Sequence, residues 1–111
     1  MFRTLIIIPL MRYRAPGVVM TATLHVRQTV ESYEDWKPAF DGHESSRRLH
    51  GASKHRVLRD GNNVTVLIDF PDRAAAEGFG ADPSLREVMS KAGVIGAPDI
   101  TLLEPVEEIT Y

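Results

Sequence analysis

Residues 53–70 read SKHRVLRDGNNVTVLIDF, and this stretch decides the fold. Two runs rich in β-branched and apolar residues, Ser53 to Arg59 and Val64 to Phe70, flank Asp60-Gly61-Asn62. Gly tolerates positive φ, and Asp and Asn bond their own backbone, so these three residues are turn formers. The stretch predicts an antiparallel hairpin in the middle of the chain, and the segments on either side mirror one another across it.

Upstream, Ala22, Leu24 and Val26 alternate with Thr21, Thr23, His25 and Arg27, the period of a strand with one apolar face. Ser32 followed by Asp35 is a helix-start signature, and a helix is expected to run to about His50 and stop at Gly51. Pro38 interrupts it, which predicts either a separate turn before Pro38 or a bend there. Downstream, Asp72 caps a weak helix through Ala74, Ala75, Ala76 and Phe79, broken by Gly78 and Gly80. Asp82-Pro83 restarts it, with Leu85, Val88, Met89 and Ala92 at helical spacing, and Gly93 closes it. A last strand is expected from about Ile100 to Val106. The order is βαββαβ: an α+β, ferredoxin-like sandwich with a four-stranded antiparallel sheet and two helices on one face. The other face, with Thr21, Thr23, His25 and Arg27 bounded by Leu67, Leu103 and Val57, needs cover. A second copy supplies it, so the expectation is a homodimer joined through the open sheet face, a dimeric α/β barrel enclosing a partly polar cavity.

The chain of 111 residues has room for one domain, and 43% hydrophobic with 25% charged residues is ordinary for a packed core. It contains no cysteine, which excludes disulfides and thiolate chemistry and fits a reducing cytoplasm. A net charge of −2 points to neither nucleic acid nor membrane as partner. The charge is uneven, however. Arg47, Arg48, Lys54, Arg56 and Arg59 fall between Ser45 and Arg59 with no acid among them, whereas acids dominate from Asp69 onward. The basic stretch is either a solvated face or part of a pocket for a small anionic ligand. Thr4 to Met11 is apolar but too short to span a bilayer, which takes about 20 residues, and Pro9 interrupts it. Residues 1–19 are read as an extension and residues 20–111 as the folded domain.

At about 100° per residue, Tyr33, Trp36, Phe40, His43, Arg47 and His50 share one helix face. This sets an imidazole and a guanidinium on an aromatic stripe. His43 near an apolar wall has a tunable pKa and could take a proton from a phenol or enol. Arg47 could hold the oxyanion. Strand alternation sends His25 and Arg27 into the dimer cavity. His43, Arg47 and His25 are therefore the candidate catalytic residues, with Tyr33, Trp36, Phe40 and Arg27 as candidate substrate contacts. Plainer roles are open to each: a rim histidine bonded to a backbone carbonyl, core aromatics, an arginine paired with Asp41 or Glu44, a half-exposed strand histidine. His25, His43, His50 and His55 offer no i, i+4 pair, so no metal site is expected. Phosphate-loop, dinucleotide and serine-elbow spacings are absent, and no cofactor is expected.

The run from Tyr33 to Glu44, then Arg47, Gly51 and Arg56-Val57-Leu58-Arg59, resembles the small dimeric α/β-barrel proteins grouped with the antibiotic biosynthesis monooxygenases. So do Asp82 to Met89 and Ala92-Gly93-Val94. The resemblance covers about residues 20–108. It implies the barrel architecture and a choice of activities, because that superfamily holds cofactor-free oxygenases of polyketide-type aromatics, cyclases and haem-degrading proteins. Three readings follow: cofactor-independent oxygenation or cyclisation of a small aromatic or polyketide-like substrate, a non-catalytic homodimer that binds a small ligand or serves as an interaction module, and a haem-binding protein.

Overall fold

The computed structural model describes residues 21–111; the expected extension and the domain boundary near Met20 lie outside the described residues. Eight elements follow one another: β1 (Ala22–Val30), α1 (Tyr33–Gly42), α2 (Glu44–Leu49), β2 (Lys54–Asp60), β3 (Asn63–Phe70), α3 (Arg73–Gly80), α4 (Pro83–Lys91) and β4 (Val94–Leu103). The strands form one antiparallel sheet in the order β2-β3-β1-β4. This is the ferredoxin-like α+β arrangement, with the first predicted helix realised as a pair of short ones and the second interrupted before Asp82-Pro83 as expected.

The central hairpin closes through Gly61 and Asn62, Gly61 taking φ +60°. Its turn docks on the end of β1, where Val30 N–H donates to the Asn62 carbonyl at 2.9 Å. The register sets the faces. Inward rows of β1 and β3, namely Ala22, Leu24, Val26 and Val30 with Val64, Val66, Ile68 and Phe70, meet Trp36, Ala76, Phe79, Leu85, Met89 and Ala92 in one buried core. His25 pairs with Leu67 and Thr101, and Thr23 with Asp69 and Leu103, on the outer face. Val57 was expected there but pairs with buried Val66 and so faces the helices, because cross-strand partners share a face.

The helix expected to reach His50 is two helices, and Pro38 is not where it breaks. Pro38 is exposed inside α1, where its only missing bond is the one to Glu34. The break falls at His43, whose N–H donates to the Phe40 carbonyl at 3.1 Å in a tightened last turn. Ser32, Asp72 and Asp82 cap as their positions predicted, accepting from the N–H groups of Asp35, Ala75 and Ser84. The last strand starts six residues before expectation. Val94 pairs with Val30 and Ile95 with Thr29, then the register shifts before Asp99 pairs with Arg27. Between those pairs β1 has one residue, Gln28, and β4 has three, Gly96-Ala97-Pro98, with Gly96 at φ +71°. A glycine and a proline in the sequence look like a loop; here they form a bulge in an edge strand, where Pro and positive φ are tolerated.

Candidate active site between the first helices and the sheet

A cleft opens on the helix side of the sheet. Its floor is Val26, Gln28, Val66 and Ile68, and its walls are Phe40, His43 and Arg47 on one side and Phe79, Leu85, Val88 and Met89 on the other. The cleft is open on one side, and the room in it for water-sized groups is about 40 Å³. At 10–15 Å³ per water, that is room for about three waters and less than a benzene-sized void of about 150 Å³.

The aromatic stripe survives the helix break. Tyr33, Trp36 and Phe40 follow one another at centroid separations of 5.8 and 4.9 Å, and the Arg47 guanidinium lies 3.8 Å over the Phe40 ring. Arg47 is only 3% exposed. Its Nη1 donates to the Phe40 carbonyl at 2.9 Å, closing the C-terminal end of α1. Its Nη2 is buried with no hydrogen-bond partner. The acids that sequence proximity offered it are taken: Asp41 pairs with Lys37 at 2.8 Å and Glu44 with Arg48 at 2.8 Å, each an i, i+4 pair on its own helix. Burial pulls the Arg47 pKa down while Glu44 and Asp41 push it up. Guanidinium stays protonated at any pH the fold survives, so a buried positive group with one unpartnered nitrogen stands at the wall of the cleft.

His43 sits at the junction of α1 and α2, half-buried, its ring 6.1 Å from Phe79. Burial, then the positive Arg47, hold its pKa below the ordinary 6.5, with Asp82 acting in the opposite sense. Its imidazole is therefore neutral at pH 7 and able to accept a proton. The histidine that does bond a backbone carbonyl is His50: its Nδ1 lies 2.9 Å from the Ser46 oxygen, and its Nε2 lies 3.5 Å from Asp82 Oδ2.

The structure brings His43, Arg47 and Phe40 together and sets Trp36 behind them in the core, 3% exposed. Tyr33 lies further out, beneath the Arg59 guanidinium at 4.2 Å. His25 and Arg27 do not join them. β1 alternation puts both on the outer face, the side expected for them, where Arg27 meets Asp99 at 3.8 Å, and neither lines the helix-side cleft. The residue that sequence reading missed is Gln28. It is 9% exposed, continues the inward row of Ala22, Leu24 and Val26, and its Oε1 is buried without a partner. The signal was a polar residue at an apolar-face position of the strand. Among the described residues no cluster of three or more ligating side chains could hold a metal, and no helix is long and apolar enough to cross a membrane.

Solved structures share this architecture. SnoaB, a cofactor-independent oxygenase of Streptomyces nogalater, superposes with a TM-score of 0.67 at 16% identity, over 83% of this chain and 99% of its own. The chain has the fold of the antibiotic biosynthesis monooxygenase-like proteins. A candidate antibiotic biosynthesis monooxygenase of Caulobacter crescentus gives 0.62 at 15% identity over 80% and 92% of the two chains. The ActVA-Orf6 monooxygenase of Streptomyces coelicolor, solved with nanaomycin D, gives 0.60 at 20% identity over 84% and 93%. At these identities the likeness is one of fold. No protein-family profile and no curated protein matches the sequence.

Proposed function

We propose that the helix-side cleft is the active site of a small cytoplasmic enzyme that oxygenates or cyclises a small aromatic or polyketide-like substrate without a cofactor. The observation that carries this reading is the buried Arg47 Nη2, unpartnered beside a half-buried neutral histidine. An unmatched buried donor costs about 1–3 kcal/mol, which an anion in the cleft would recover. His43 takes the proton of an enol or phenol, and Arg47 holds the oxygen that becomes negative. In the oxygenation case the resulting carbanion forms a C–O bond to dioxygen. The distal peroxide oxygen takes the proton back from His43, and loss of water leaves a carbonyl on the substrate. The apolar wall of Phe79, Leu85, Val88 and Met89 keeps bulk water from quenching the carbanion.

The test is oxygen uptake with small hydroxylated aromatics, in the native protein and in Met89→Ala, which widens a cleft smaller than one ring. His43→Ala should lower kcat by about 10²–10⁴-fold, the range for a lost general base, with the thermal midpoint nearly unchanged. An unaltered kcat would remove His43 from the chemistry. The tightness of the cleft favours a second reading, a homodimer that binds a small ligand and has no reaction. In that case no oxygen is consumed while anions still bind.

The homodimer is part of the same proposal. Leu58, Leu67, Ile95 and Leu103 share the outer face, with Leu103 43% exposed, and the segment 104–111 carries Val106 and Ile109 into solvent. A second sheet would cover these groups. Light scattering should report about twice the 12.4 kDa chain mass, and Leu103→Glu should halve it, because a buried unpaired carboxylate is costly.

A further inference from the structure

We propose that Gln28 and Arg47 together select the ligand of the cleft: a planar organic acid or phenol with an ionised oxygen for Arg47 and, set apart from it on the same skeleton, a hydroxyl for Gln28. The inference rests on the reading of the cleft as a ligand site and adds the class of molecule it takes. Both side chains line the same cleft, both are more than nine-tenths buried, and each has one buried polar atom without a partner. The two atoms ask for opposite things. Guanidinium nitrogen can only donate, so Nη2 needs an acceptor, best an anion; the amide oxygen can only accept, so Oε1 needs an O–H or N–H.

Gln28 also borders the groove beside the β4 bulge with Arg27, Asn63 and Asp99, but no hydrogen bond ties its amide oxygen to them. Its neighbours along the inward row, Val26 and Val30, are apolar and buried. On the β4 side the ladder passes it by, since Gly96-Ala97-Pro98 bulges opposite it and leaves it without a cross-strand partner. Bulges recur beside functional sites because they re-aim a side chain. Both atoms are sealed from solvent, so a ligand reaches them only as the cleft opens around it. A ligand that does so gains full affinity only if it supplies both hydrogen bonds, which an acid with no hydroxyl does not do.

Calorimetric titration with benzoate and the three hydroxybenzoates tests this. In the 2-isomer the hydroxyl is already bonded to its own carboxylate, whereas in the 3- and 4-isomers it is free. The 3- or the 4-isomer should bind at least about tenfold more tightly than benzoate, and the 2-isomer should show no such gain. Gln28→Leu, close in volume, should erase the preference and leave benzoate binding within about threefold, and Arg47→Met should abolish binding of all four acids. Because the room in the cleft is smaller than a ring, the series is repeated in Met89→Ala, which widens it at an unbranched side chain. Equal affinity for benzoate and all isomers, or a preference that survives Gln28→Leu, overturns the selection while the cleft stands as an anion site. Binding that survives Arg47→Met places the acids elsewhere and overturns it too. No binding by either the native protein or Met89→Ala sinks the cleft as a ligand site, and the selection with it.

Discussion

The two faces of the sheet treat polar side chains in opposite ways. On the outer face seven of them pair with one another: Thr23 donates to Asp69 at 2.8 Å, Lys54 reaches the same carboxylate at 3.6 Å, Thr29 donates to Asn63 at 2.9 Å, and Arg27 meets Asp99 at 3.8 Å. On the inner face Gln28 and Arg47 are far more deeply buried, yet each keeps a polar atom with no partner. Exposed pairs of the first kind contribute at most about 1 kcal/mol each. Orphans of the second kind each cost about that or more. On the proposed reading the difference marks the ligand site, since unmet hydrogen bonds persist where a ligand would meet them.

The largest effect expected on this contrast is in the inner face's packing. Trp36→Ala should destabilise by about 3–5 kcal/mol, the usual range for a buried aromatic, measured by urea unfolding. A loss under about 1 kcal/mol would mean that α1 is not anchored through this ring.

Arg47→Met sharpens the comparison, because it separates stability from binding. Stability should stay within about 1 kcal/mol of the native protein or rise, since replacing an incompletely paired buried charge by an apolar chain is often neutral or stabilising. Anion affinity should fall at least tenfold. A loss of several kcal/mol would make the bond to the Phe40 carbonyl the residue's main purpose.

A smaller effect is expected from pH. Burial, then Arg47, lower the pKa values of both His43 and His55, with Lys37 adding to the effect at His55. The unfolded chain therefore binds these protons more readily than the folded one. Stability should be flat above the ordinary value of 6.5 and fall as pH drops from 6.5 toward the folded-state pKa values. Thermal midpoints at pH 7.5 and 5.5 measure the fall, and replacing both histidines by alanine should shrink it. Any activity that uses His43 as base should show its acid limb in the same window. A limb above pH 6.5 would point to another group.

The smallest effect belongs to the outer face. His25→Ala should leave acid binding by the cleft unchanged and shift stability by no more than about 0.5 kcal/mol in the protomer. A tenfold change in affinity would mean that the two faces communicate through β1.

What the sequence determined by itself is whatever short-range chemistry controls. The hairpin at Gly61-Asn62, the caps at Ser32, Asp72 and Asp82, the Pro83 start and the alternation of β1 are all written in neighbouring residues, and together they impose the βαββαβ order. The grouping of Phe40, His43 and Arg47 was legible for the same reason, since helical spacing holds them on one side even across the break at His43. Tertiary structure decided what depends on partners distant in the chain. Whether Arg47 is paired turned on Lys37 and Arg48 occupying Asp41 and Glu44 first. The face of Val57 was set by its register with Val66, and the early start of β4 by pairing of Val94 with Val30 across a bulge that reads locally as a loop. Gln28 is the clearest case: its place in the apolar row could be counted from Ala22, but that its oxygen lacks a partner follows only from β3, α4 and the β4 bulge closing around it, because an unmet hydrogen bond is a property of everything within reach and not of the residue alone.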